Sequence, residues 1–154
     1  MTGPASGENS TERDIRAKVR LDFKGVGRPG RLFFGGKSTE KAAEEMREQQ
    51  AAMLRNIPVQ GIHILDVDLS LELYTIYDDV NNQEVAYAPA VLELIADTIE
   101  DLVRFAVREE FRKIEIISPA AISLQKVELE RLMFRVAEEV RKYRQNLERK
   151  YNIK

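Results

Sequence analysis

Three aspartates stand out as carriers of chemistry. Asp22, Asp78 and Asp79 are of the type that holds divalent cations for phosphoryl transfer, provided that the fold brings them together. Asp66, Asp68, Glu72 and Glu93 form a second acidic set, with the grouped oxygens that a hard cation requires. A row of basic residues beside that set would compensate its charge without any metal. Gly35-Gly36-Lys37-Ser38-Thr39 offers free backbone N–H groups and a lysine at a helix start, a phosphate-binding arrangement. The phosphate-loop spacing is not met, because position 31, where it needs glycine, is Arg31 and Gly30 falls one place early. A helix cap with an incidental lysine is the simpler account.

Charge is unevenly spread. The chain of 154 residues has net charge −2, yet between Glu12 and Lys37 eight cations face three carboxylates, a local net of +5. Lys24, Arg28, Arg31, Phe33 and Lys37 are therefore candidate contacts to an anion or to RNA phosphates and bases, although no recognised RNA-binding signature accompanies them and charge pairing within the sheet or between subunits would explain the same residues. The absence of cysteine excludes disulfides, a thiolate nucleophile and cysteine-held zinc, haem or iron–sulfur groups. A single histidine, His63, argues against a histidine metal site. Its parity with Leu65 and Val67 puts it on the apolar side of a strand, a structural position. No cofactor is expected.

The elements that must position these residues follow from periodicity. Residues 1–14 are polar and glycine-containing, the composition of a disordered tail, and residues 15–154 read as one domain. Ile15, Ala17, Val19, Leu21 and Phe23 alternate with Arg16, Lys18, Arg20, Asp22 and Lys24, the pattern of a half-buried strand. Beyond a Gly/Pro-rich stretch, Ser38 to Asn56 reads as a helix capped by Ser38 or Thr39, with Ala42, Met46, Gln49 and Met53 on its apolar side. Alternation from Leu65 to Thr75 marks a second strand. A hairpin closed around Val80-Asn81 sets Leu69 opposite Leu92, Leu71 opposite Ala90 and Leu73 opposite Ala88 in a third, with Pro89 forcing an irregularity. Asp97 and Glu100 resemble a capping box for a helix reaching about Phe111, followed by a strand over Lys113–Ser118. A long C-terminal helix is expected over 122–151.

The order predicts an α+β fold: a ferredoxin-like βαββαβ antiparallel sheet with an added long C-terminal helix. In that plan the helices cover one face of the sheet, and the basic row Arg16, Lys18, Arg20 and Lys24 shares the other face with the acidic residues. The ends of the strands carrying Asp22 and Asp78-Asp79 then fall on one edge. That layout resembles the palm of nucleotidyl transferases and cyclases, which implies a metal-dependent phosphoryl-transfer enzyme. The resemblance rests on three acidic residues and lacks the second acid of the first-strand motif.

The last helix carries a more specific pattern. Leu129, Met133, Val136, Val140, Tyr143 and Leu147 recur at alternating four- and three-residue intervals, a coiled-coil seam. Its second half is too polar to be core, so Val140, Tyr143, Leu147 and Tyr151 are candidate subunit contacts; the competing arrangement is a helix lying back on its own sheet. The expectation is a non-enzymatic, homo-oligomeric binding or scaffold protein. RNA binding through the basic loop and phosphoryl transfer are the alternatives. With no apolar run long enough to span a bilayer, and no apolar leader segment, a cytoplasmic location without membrane contact is expected.

Overall fold

The computed structural model describes residues 14–26 and 38–151. Of the expected tail (residues 1–14) all but Asp14, and the Gly/Pro-rich stretch 27–37 with its Leu32-Phe33-Phe34 run, lie outside the described residues. The elements are β1 (Ile15–Val26), α1 (Thr39–Asn56), β2 (Ile62–Asp68), β3 (Tyr74–Asp78), β4 (Gln83–Ala96), α2 (Ile99–Ala106), β5 (Phe111–Ser118) and α3 (Lys126–Lys150). They form an α+β fold with one five-stranded antiparallel sheet of order β2-β4-β1-β5, in which β3 also pairs with β4. No described helix is long and apolar enough to cross a membrane.

β1 lies between β4 and β5, and its alternation is obeyed. Ile15, Ala17, Val19, Leu21 and Phe23 are at most 2% exposed and pack with Leu92, Leu94, Leu54, Leu102 and Phe105 in the main core. Each large apolar side chain so buried contributes ~1.5–3 kcal/mol, several times an exposed ion pair. The apolar half of the pattern therefore decides which face the helices cover.

The single strand expected over 65–75 is two strands. β3 keeps the expected hairpin register, Tyr74 opposite Tyr87 and Asp78 opposite Gln83. In β2, by contrast, Leu92 faces Val67, not Leu69. Residues 69–73 leave the ladder opposite Pro89, whose imide nitrogen has no hydrogen to donate. The gap is filled from the helix side: the buried Arg47 of α1 donates through Nη1 to the carbonyls of Leu71 (3.0 Å) and Pro89 (3.3 Å).

A second irregularity overturns the placement of His63. Ile64 faces Leu94 and Asp66 faces Glu93, so Leu65 is an extra, bulged residue. The bulge inverts parity: Ile62 is buried, Leu65 is exposed, and His63 stands opposite Ile95 on the solvent-facing side, where its Nε2 lies 2.9 Å from Asp97 Oδ1.

The helices also differ in detail from their expected limits. Ser38 caps α1 by accepting from the Lys41 N–H, as read. Its inward face is Ala43, Arg47, Ala51 and Leu54, one to two positions on from Ala42, Met46, Gln49 and Met53; Met46 and Met53 are exposed. A long cation in the middle of the stripe disguised it. α2 is capped by Thr98, which exchanges hydrogen bonds with Asp101, and not by Asp97 with Glu100. It ends at Ala106, and β5 begins already at Phe111. α3 is slightly shorter than 122–151.

The alanines let α1 approach β1 closely. A Cβ at Gly25 would lie 2.1 Å from the Ala43 nitrogen and 2.6 Å from the Thr39 carbonyl oxygen, both backbone atoms that cannot rotate away. Gly25→Ala should therefore lower stability by ~1–3 kcal/mol. Urea unfolding would show this as a lower midpoint at unchanged slope, and an unchanged midpoint would mean that the helix is not held against this strand.

Candidate functional site

Two regions gather the residues singled out by type and spacing. The first is the sheet face opposite α1 and α2. The register puts Lys18 beside Glu93, which also faces Asp66, and Arg16 donates to Glu93 at 3.1 Å. Asp68 lies in the field of Lys18, and its carboxyl is held below the usual range mainly by hydrogen bonds from the Ser70 hydroxyl and backbone N–H. Opposite charges thus meet across strands on this face.

Asp22 is the exception, since it is only 2% exposed on the charged side of β1. Arg20, two residues earlier on the same face, grips it with Nε at 2.8 Å and Nη2 at 3.3 Å. The Tyr74 hydroxyl donates to Oδ2, and Arg112 Nε approaches the same oxygen at 3.8 Å. Arg112 is a bulged residue: Lys113 faces Arg20 and Phe111 faces Leu21, leaving Arg112 extra, and such bulges re-aim side chains. Tyr74 stacks on Tyr87 with ring centres 5.3 Å apart, and the Arg112 guanidinium lies 5.3 Å from the Tyr87 ring centre. β1, β3, β4 and β5 therefore each contribute to one clasp around a single carboxylate.

That arrangement determines its chemistry. The carboxylate raises the Arg20 guanidinium above its ordinary pKa through their hydrogen bond. Burial first, and then the bond to Asp22, raise the Tyr74 hydroxyl above the usual tyrosine value. The acceptor sites of Asp22 are committed to a guanidinium fork and a phenol, which makes it a structural anchor.

The three aspartates expected to act together are not gathered. Asp22 faces Pro89 and Asp78 faces Gln83, six residues along β4, or about 20 Å at ~3.3 Å per residue. Asp78 instead ties the β3–β4 turn by accepting from the Val80 N–H, the Asn81 N–H and Asn81 Nδ2, and these bonds hold its carboxyl below the usual range. Asp79 is an exposed residue of the same turn. Among the described residues, no three His, Asp or Glu side chains are grouped to hold a metal ion. Of the anion or RNA candidates, Arg28, Arg31, Phe33 and Lys37 lie outside the described residues. Lys24 stands opposite Tyr87, whose ring already packs against Tyr74 and Arg112.

The second region is α3. Its 25 residues include none that is buried. It packs beside α2, where Arg135 bridges to Glu100 at 3.3 Å. Met133 (65%), Val140 (61%) and Tyr143 (58%) are exposed along the expected seam, with Leu129 and Val136 exposed to lesser degrees and Leu147 partly covered. Tyr151, just past the helix end, is exposed too. Between the second half of α3 and residues 106–110 runs an open groove of about 950 Å³, lined by Val107, Val140, Tyr143 and Leu147 among others.

The clasp and the inward Arg47 are not marked by any regular spacing in the sequence. The hairpin register already implied Tyr74 opposite Tyr87, and Arg20 two residues before Asp22 was a further sign. Nothing in the local pattern marked Arg112 as bulged.

Because the Tyr74 pKa is raised on folding, its contribution to stability is fully present below the unfolded value of about 10 and is lost as pH rises through the folded value. Tyr74→Phe should remove that part of the alkaline loss, measured as urea stability from pH 8 upward; an identical decline in the variant would show that the hydroxyl is not held by Asp22. Comparison of the chain with protein-family models, curated proteins and solved structures finds no match.

Proposed function

We propose that this protein is a non-enzymatic subunit that assembles with copies of itself through α3 and works by presenting binding surfaces. The observation that carries this reading is a helix of 25 residues, about 37 Å long, without one buried side chain, yet with apolar residues repeating at seam spacing and open to water. Isolated exposed apolar residues are ordinary, whereas a continuous stripe of them marks an interaction surface. Helical propensity alone does not account for the stripe, because an exposed helix is equally well made from Glu, Lys and Arg. The commitment of Asp22 to its clasp and of Asp78 to its turn supports binding over phosphoryl transfer.

The ferredoxin-like plan belongs to the same reading. β2 and β3 pair antiparallel with consecutive stretches of β4, so we count them as one strand position interrupted opposite Pro89. The four positions then follow the split βαβ arrangement, with α3 as an addition outside it.

Light scattering at micromolar concentration should return a multiple of the 17.7 kDa chain mass. Met133→Glu combined with Val140→Glu should give a monomer with unchanged circular dichroism, since neither side chain is part of the core. A wild-type monomer at that concentration would contradict the reading.

A further inference from the structure

The seam on α3 reads the same from both ends. From Leu129 to Leu147 its intervals run four, three, four, three, four, and the sequence of intervals is palindromic. Laid antiparallel on a second copy, the helix therefore brings Leu129 to Leu147, Met133 to Tyr143 and Val136 to Val140, and each layer is then repeated by the twofold axis. Each of these layers joins positions of the two alternating seam types, the way antiparallel helices interdigitate. A parallel pairing sets each residue on itself, Tyr143 on Tyr143 included.

Charge separates the two orientations. Residues 126–139 carry four carboxylates against three cations, whereas residues 140–150 carry five cations against one carboxylate. Parallel helices would align the two strongly basic halves. Antiparallel helices place each basic half beside the acidic half of the other copy and bring Glu130 next to Arg144 of the partner subunit. Such complementarity fixes orientation and register more than it adds affinity. The groove between α3 and residues 106–110 lies along the second half of the seam, open to receive the first half of a second α3.

We infer that α3 binds a second copy of this chain as an antiparallel, twofold-symmetric helix pair centred between Val136 and Val140. This inference rests on the self-assembly reading above and specifies its geometry. The twofold makes the contact isologous and closed, so it yields a dimer and not a filament.

The cysteine-free chain permits a direct test by single substitutions at exposed or partly covered seam positions. Leu129→Cys and Leu147→Cys are prepared separately, mixed, allowed to exchange subunits and oxidised. The expected result is a disulfide-linked dimer in the mixture, several-fold above either variant alone. Met133→Cys with Tyr143→Cys gives an independent second pair with the same expectation. Efficient linkage of either variant to itself would overturn the antiparallel orientation while leaving self-assembly intact. A mixture no more linked than its components, in protein that scatters as a dimer, would overturn the register. Protein that scatters as a monomer would overturn the self-assembly reading itself.

Discussion

A strand in the middle of a sheet has two faces, and β1 dedicates them to opposite solvents. At one set of alternate positions its side chains are apolar and almost fully buried; at the other they are charged. A slip of one residue against either neighbour would put Leu21 and Phe23 into water and Arg20 and Lys24 into the core, so the register with β4 and β5 is strongly specified. α1 and α2 then have only one side on which to pack. Gly25, with Ala43 opposite, sets how near α1 comes.

The reverse side meets a different requirement, since its charged groups must be paired or solvated. Most of the pairs there are exposed and contribute little individually. Asp22 differs because it is buried, and its two guanidinium neighbours and Tyr74 hydroxyl keep that burial tolerable. The clasp also joins four strands near the place where residues 69–73 leave the ladder. Arg47 does a similar task from the other side of the sheet by supplying donors to the carbonyls of Leu71 and Pro89. Arg47 thereby compensates for Pro89, whose nitrogen cannot complete the ladder. With both faces accounted for in this way, α3 is left with a stripe of apolar residues that its own domain does not bury.

Much of this was legible in the sequence wherever one periodicity ran unbroken. β1, the turn after β3 and the seam of α3 follow directly from spacing, because a side chain's direction in a regular element depends on position alone. Legibility failed at insertions and disguises. The extra residue Leu65 reverses parity, so His63, read as inward, faces out. Arg47 looks like a surface residue, and it hides the true inward stripe of α1, Ala43, Arg47, Ala51 and Leu54. Asp22 has the look of a metal ligand in a strand of charges; only the fold brings Tyr74 and Arg112 to it from strands distant in sequence. The candidate site on α3 was read from sequence because a seam is a local pattern, whereas the clasp is made of long-range contacts.

The claim that most needs testing is that the exposed stripe of α3 is covered by another copy of the chain. Amide hydrogen exchange along residues 126–150, followed over a dilution series, measures this most directly, because a helix covered by a partner opens less often than one in water. The expected result is protection that falls with dilution across Leu129 to Leu147 while β1 and β4 stay constant. Protection in α3 that does not change with concentration would contradict it.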